Sequence, residues 1–179
     1  VTGMKLRIEV VAIDCLMLRL FDDIAEANMP WMLAATERVR SVFAGQLIDV
    51  VPSYTTLMVH YDGLELSPVQ ARELIAHALS DLQPDTRRQG QCHVVPVWYD
   101  LSVGPELALL AQRTGWSHNE VIRCHSEHEY QVFALGLAPG FAFMGLVDEA
   151  LAAPRLSTPR KRVAAGSVGI AERQTAAYP

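Results

Sequence analysis

The sequence lacks the features that mark secreted and membrane-spanning proteins. Its three cysteines in 179 residues form no C-x-x-C pair, and their odd number argues against a disulfide framework and for a reducing compartment. It has no apolar run of about 18 residues that would predict a membrane span. The apolar stretch near its start carries Arg7, Glu9, Asp14 and Arg19, unlike a signal peptide. We therefore expect a cytoplasmic protein that does not act at a membrane.

The sequence also lacks several motifs that would identify a function directly. It contains no G-x-x-x-x-G-K-[ST] phosphate loop, no G-x-G-x-x-G and no G-x-S-x-G nucleophile elbow. A net charge of −5 argues against a general nucleic-acid binder. What remains is a globular composition, 50% hydrophobic and 20% charged, which is able to bury a core.

In the first half, hydrophobic periodicity predicts a mixed order of strands and helices. A helix is expected from near Pro30, capped by Asn28, and another from Pro68, opened by a capping box of Ser67 and Gln70. Strands are predicted at 6–13 and 15–21 (two strands or one broken strand), 46–51, 55–62 and 91–99. The β-α-β-β-α-β order is the ferredoxin-like pattern. We assign it to a domain of residues 1–90.

The second half, residues 91–179, has a different character. A short helix is predicted from Pro105 to Arg113, ended by Gly115, and a second from a capping box of Ser117 and Glu120. A strand follows at 129–137, and the chain then becomes rich in glycine and proline. Short strands with many turns favour a β-barrel-like or irregular β domain, which makes the whole chain α+β.

Histidines at 125 and 128 share a helix face beside Cys124. The spacing matches no standard zinc pattern, so no metal site is predicted. The favoured interpretation is histidines at a helix end that face its last carbonyl groups. A general-base role for His125 is the alternative.

Two further segments leave alternatives open. Phe141, Phe143 and Met144 form either a hydrophobic plug or an apolar surface for a partner. The basic, glycine-containing segment 158–169 binds an anion or is a solvated loop. From the residue types alone, the hydrophobic plug is favoured for the first segment and the solvated loop for the second.

Two motifs in the second half are "LGLAPGFAFMG" and "PRLSTPRKRVAAGSVGIAERQTAAYP". Through them the second half resembles the allophanate hydrolase subunit 1 family, which includes the B subunit of 5-oxoprolinase and a sporulation histidine-kinase inhibitor. "VPSYTTLMVHYD" and "VPVWYD" in the first hundred residues agree more loosely. The family pattern has glycine where this chain has Glu172 and Ala176, positions where a positive φ would be cheap for glycine.

The resemblance implies a second domain with a cyclophilin-like barrel, whose last strands are expected beyond residue 179. It implies a subunit of an ATP-dependent amide or lactam hydrolase, inactive alone, that acts with a subunit 2-type protein (the C subunit of 5-oxoprolinase) and a further hydrolase subunit. ATP, with Mg²⁺, would be shared with those subunits. The alternative is a protein that binds and inhibits a sensor histidine kinase, and prolyl isomerase activity is a weaker analogy of fold.

The resemblance also implies roles for individual residues. His125 would orient a group or transfer a proton. The apolar residues Phe141, Phe143 and Met144 would contact a partner. The residues implied to bind substrate or another anion are Arg160, Arg162, Gly166, Ser167 and Gln174.

Overall fold

A computed structural model describes residues 4–87 and 90–179 of the chain. The chain divides into two compact units, Val1–Gly90 and Gln91–Pro179. In the described residues each unit contains two α-helices and one four-stranded antiparallel sheet. No helix in these two stretches is long and apolar enough to span a bilayer.

The first unit is a sheet packed with two helices. Its sheet has the order β1-β2-β4-β3, and β1 and β2 form an antiparallel hairpin. In chain order its elements are β1 (Arg7–Ala12), β2 (Cys15–Arg19), α1 (Met29–Phe43), β3 (Leu47–Pro52), β4 (Thr56–Tyr61) and α2 (Pro68–Leu79).

The core of this unit follows from two periodicities. Along β4 the alternate residues Leu57, Val59 and Tyr61 are fully buried, as expected for a strand with one face toward the core. Helix α1 buries positions spaced by three or four residues, including Met32 and Val39. These side chains belong to one continuous apolar cluster that also includes residues of α2.

Of the two predicted helix starts in this unit, one is confirmed and one is not. Ser67 accepts a hydrogen bond from the Gln70 backbone N–H, and Gln70 accepts one in return, so the capping box is present. Asn28 does precede α1, but its side chain makes no capping bond. Its amide nitrogen instead donates to the carbonyl oxygen of Asp23, 2.7 Å away.

The strand predicted at 91–99 is wrong. These residues form no regular element, and Val94 and Trp98 are 93% and 72% exposed. Strand propensity is local, but a ladder needs a neighbouring strand, and the outer position beside β2 is taken by β1. Without this strand, the predicted ferredoxin-like βαββαβ order is not formed.

The second unit carries a smaller sheet with the order β5-β6-β8-β7. Gly115, at φ +72, ends α3 in the left-handed region as predicted. A cyclophilin-like barrel stays a prediction. In chain order the elements are α3 (Glu106–Thr114), α4 (His118–Ser126), β5 (Gln131–Leu135), β6 (Ala142–Gly145), β7 (Val168–Ala171) and β8 (Gln174–Ala177).

Candidate functional site

Helix α4 places His125 in the interior of the second unit. The predicted capping box is present: Ser117 accepts from the Glu120 N–H, and the Glu120 carboxylate accepts from Ser117. These hydrogen bonds lower the pKa of Glu120. Val121 and His125, four residues apart, lie on the buried face of the helix. His125 is only 7% exposed.

Both ring nitrogens of His125 have hydrogen-bond partners. Nδ1 lies 2.6 Å from the hydroxyl of Tyr99, and Nε2 lies 3.0 Å from Oγ1 of Thr175. The Thr175 hydroxyl in turn donates to the carbonyl oxygen of Gly169 at 3.0 Å. These contacts join the segment before α3, the end of α4, and both strands of the β7–β8 hairpin.

The surroundings of the ring disfavour charge. Burial, followed by the nearby His128, lowers the pKa of His125. Burial raises the pKa of the Tyr99 phenol and of the Tyr130 phenol. Tyr130 lies beside the imidazole, with ring centroids 5.3 Å apart, and its hydroxyl donates to the His125 carbonyl oxygen. At neutral pH the cluster is therefore uncharged.

This arrangement bears on the two roles considered for His125. A general base needs a free lone pair within reach of the proton that it removes. Here each ring nitrogen already has a partner inside the unit. Orientation of neighbouring groups fits this geometry better than direct proton abstraction.

The basic segment does not come together as one open cluster of cations. Arg160 forms an ion pair with Glu106, in the first turn of α3. Arg162 is exposed, and in the described parts of the chain no ion pair is seen for it. No hydrogen bond between described residues connects either arginine to the His125 cluster. The implied role of both in anion binding stays a prediction.

Gly166 and Ser167 are implied to bind an anion, and this role stays a prediction, but their backbone N–H groups already donate within the chain. The Gly166 N–H donates to the carbonyl oxygen of Tyr178 at 2.9 Å, and the Ser167 N–H to that of Ala164 at 3.1 Å. Gly166 has φ +77, a conformation that glycine adopts at low cost. The two residues precede β7, and the bond from Gly166 to Tyr178 lies at the end of the β7–β8 pair opposite its connecting turn.

Gln174 begins β8, where it lies opposite Gly145 of β6 and Ala171 of β7. Its side chain is half-buried. The next residue, Thr175, is the partner of His125. Because it directly precedes Thr175 in β8, Gln174 is the candidate substrate-binding residue nearest in sequence to the His125 cluster.

The expected apolar partner surface is not an exposed loop. Phe141 is buried, and residues 142–145 form β6, which pairs with β5 on one side and β8 on the other. Phe141 packs edge-on against Phe143 and Tyr178, with centroids 4.8 and 5.6 Å apart. The interpretation as a hydrophobic plug fits the packing of Phe141. Phe143 and Met144 are partly exposed, and a partner contact at these three residues stays a prediction.

The side chains near the end of α4 form no evident metal site. Within residues 4–87 and 90–179, no three His, Cys, Asp or Glu side chains are grouped so that they could hold an ion. Burial raises the pKa of the Cys124 thiol. Cys124 lines an open groove of about 520 Å³ together with Trp116, Glu120, Arg123, Glu127 and His128.

Sequence reasoning missed both partners of the His125 ring. Tyr99 is the tyrosine of "VPVWYD", and Thr175 follows Gln174 in "AERQTA"; both segments lie in the stretches that resemble the family. The resemblance of these two segments to the family was the signal that could have pointed to Tyr99 and Thr175. Nothing in the local pattern indicates that residues 26 and 50 positions away from His125 bond to it.

Comparison with known proteins agrees with this architecture. Residues 6–179 match the family described as "Carboxyltransferase domain, subdomain C and D". The chain belongs to this family. It is 33% identical to the B subunit of 5-oxoprolinase from Bacillus subtilis (strain 168), over 98% of this chain and 77% of the relative. The resemblance inferred from the motifs is confirmed.

Solved structures extend the comparison to the fold. A crystal structure of TTHA0988 matches with a TM-score of 0.77 and 33% identity over 93% of this chain. This chain spans only 32% of that protein's chain. The Kluyveromyces lactis urea carboxylase matches 99% of this chain with a TM-score of 0.75. At 11% identity, that match supports a similarity of fold alone.

Proposed function

We propose that this chain is a subunit of a heteromeric 5-oxoprolinase, which opens the lactam of 5-oxoproline to glutamate at the expense of ATP. The observation that carries the proposal is its 33% identity to the B subunit of a 5-oxoprolinase over 98% of its length. An allophanate hydrolase-like activity is the nearest alternative substrate class. In either case the bond to be broken is an unactivated amide, whose hydrolysis is coupled to ATP.

The residues described above do not fit a complete ATP site within this chain. The sequence has no phosphate loop. Arg160 is paired with Glu106, and the N–H groups of Gly166 and Ser167 donate to the carbonyl oxygens of Tyr178 and Ala164. We therefore assign ATP, with its Mg²⁺, to a site that other subunits provide or complete.

For the substrate itself, the proposal concerns anion binding and orientation. 5-Oxoproline carries a carboxylate, which a guanidinium binds through two parallel hydrogen bonds. Arg162 is exposed, and Arg160 is about half exposed, so both are able to meet an anion in an assembled complex. His125 would orient neighbouring groups rather than act as the base.

The partner we propose is a subunit 2-type protein (the C subunit of 5-oxoprolinase), with a further hydrolase subunit. A histidine-kinase inhibitor, the alternative, would use an exposed apolar loop at residues 141–144 to dock on the kinase. With Phe141 buried and residues 142–145 in a central strand, no feature of the described residues favours that alternative.

Reconstitution tests the proposal. The chain would be co-expressed with the two candidate partners, and the purified complex assayed for 5-oxoproline-dependent ATP hydrolysis and for glutamate. We expect activity from the complete complex and none from the chain alone. A complex from which this chain is omitted is the control. Full activity without the chain, or robust turnover by the chain by itself, would contradict the proposal.

A further inference from the structure

The hydroxyl of Thr175 decides the direction of the hydrogen bonds around His125. A carbonyl oxygen only accepts, so the contact with Gly169 O uses the single proton of the hydroxyl. Toward His125 the hydroxyl oxygen must then accept, which requires a proton on Nε2. In a neutral ring this leaves a lone pair on Nδ1. The Tyr99 hydroxyl, 2.6 Å away, donates to that lone pair.

The alternative protonation states fit less well. An imidazolium would have to donate from both nitrogens, which would reverse the bond to Tyr99, and burial and His128 both oppose the charge. The opposite neutral tautomer would require Thr175 to donate to Nε2 instead of to the Gly169 carbonyl oxygen. The titratable groups around the ring are Tyr99, Tyr130 and His128, and Cys124 and Asp148 in turn act on Tyr130.

We infer that Thr175 fixes His125 as the neutral tautomer protonated on Nε2, and that the resulting chain from Tyr99 to Gly169 positions β8 and its substrate-binding candidate Gln174. Thr175 and Tyr99 are thus positioning residues. The catalytic importance of this positioning rests on the proposed function. The tautomer itself is a property of the chain that is measurable without turnover.

The geometry explains how such a chain would act on Gln174. Successive side chains of a strand point to opposite faces. Thr175 is 2% exposed and points toward His125, so Gln174 points to the other face of the sheet. The bond between His125 and Thr175 ties this strand to α4, and the bond to Gly169 ties it to β7.

Nuclear magnetic resonance of ¹⁵N-histidine-labelled chain tests the tautomer. We expect His125 in the wild-type chain to be protonated on Nε2 and to stay neutral where an ordinary histidine becomes charged. Thr175→Val removes the hydroxyl with little change of shape, and should leave a mixture of tautomers. Thr175→Ser keeps a hydroxyl and should restore the wild-type signal. His125→Gln assigns the resonance.

Two further variants keep the test decisive if Thr175→Val does not fold. Tyr99→Phe removes the donor that stabilises the neutral ring, and should raise the pKa of His125. Thr114→Val is the matched control, because the Thr114 hydroxyl donates to the Leu110 carbonyl within α3 and should leave His125 unchanged.

Kinetics of the reconstituted complex then test positioning. We expect Thr175→Val to lower kcat more than it raises KM, and Thr175→Ser to recover kcat. If the wild-type complex does not act on 5-oxoproline, the proposed function fails while the resonance result stands. A wild-type ring protonated on Nδ1 or charged at neutral pH would overturn the inference, as would identical His125 signals in Thr175→Val and wild type.

Discussion

The two units satisfy their buried polar groups in different ways. In the first unit, buried polar side chains donate singly to backbone carbonyl oxygens: Thr36 to that of Met32, Asn28 to that of Asp23, and Tyr61 to that of Ile13. In the second unit, His125 is bonded to Tyr99 and Thr175, 26 and 50 positions away. A single bond to a backbone carbonyl satisfies one side chain, whereas a network of connected side chains fixes how several segments meet. The contrast points to the second unit as the place where the geometry of a site is set.

The same contrast holds for apolar packing. The first unit buries a large continuous cluster contributed by its sheet and both of its helices. The buried cluster of the second unit is smaller, and consists of Ala111, Val121, Val147 and Leu151. We therefore expect the stability of the first unit to depend mainly on burial, and the second to be more sensitive to polar contacts and turns.

The largest expected effect concerns the core of the first unit. Leu57, fully buried in β4, packs in the apolar cluster, and Leu57→Ala should lower the free energy of unfolding by about 2–5 kcal/mol. Leu64, 98% exposed in the same unit, is the matched control, since Leu64→Ala should change it by less than about 0.5 kcal/mol. Urea denaturation measures both. Similar losses for the two variants would contradict the claim that burial dominates the stability of the first unit.

The second expected effect is a pH dependence that arises in the second unit. The pKa of His125 is lowered in the folded protein, so below about pH 6.5 the unfolded chain binds a proton that the folded chain does not. Stability should therefore fall with decreasing pH by up to about 1.4 kcal/mol per unit. It should level off once the pH passes below the folded pKa.

The control for this prediction is His125→Gln, measured by denaturation between about pH 7 and 5, above the range where carboxylates dominate. The difference between wild type and variant isolates the contribution of His125. A difference that is constant across this range would contradict the lowered pKa, and with it the neutral cluster.

The third expected effect is a change of stability at the turn of the β7–β8 hairpin in the second unit. Glu172 has φ +54, a conformation that costs a residue with a side chain about 1–2 kcal/mol. Glu172→Gly should stabilise the protein by about 1 kcal/mol, less the entropy that glycine loses on folding. Ala176→Gly places glycine within β8, where φ is not positive, and should destabilise. Thermal melting distinguishes the two, and equal shifts would refute the argument.

The smallest expected effect on stability is at the basic segment. The Arg160–Glu106 pair is about half exposed, so Arg160→Ala should cost no more than about 1 kcal/mol. If Arg160 binds a substrate anion, the same variant lowers kcat/KM of the complex, while Glu106→Gln does not. Lys161→Ala, the adjacent exposed cation, is expected to be silent in both. Equal activity of Arg160→Ala and Lys161→Ala would make the segment a solvated loop.

Residues with local signals were predicted well. The two capping boxes begin α2 and α4 as expected, because their hydrogen bonds lie within four consecutive residues. Alternation in 55–62 predicted β4, and Gly115 predicted the end of α3. The prediction of a strand at 91–99 was wrong, since β-branched residues indicate the propensity to form a strand but not the presence of a neighbouring strand to pair with.

The candidate site was predictable only in part. His125 was identified from the motif and from its helix, and Gln174 from the resemblance. The backbone N–H groups of Gly166 and Ser167 are not free to bind an anion, because the carbonyl oxygens of Tyr178 and Ala164 accept from them. A sequence motif names residue types at a spacing, but it does not tell which hydrogen-bond donors the fold has already used.

By itself, the sequence determined the helices, most strands, and membership of the family, because caps, periodicity and motifs are read within short stretches. Only the tertiary structure decided that β1 pairs beside β2, that Phe141 is buried, and that Tyr99 and Thr175 meet on the ring of His125. Each of these depends on contacts between segments far apart in the chain. Such contacts are selected by burial and by the need to satisfy buried polar groups, which no local pattern records.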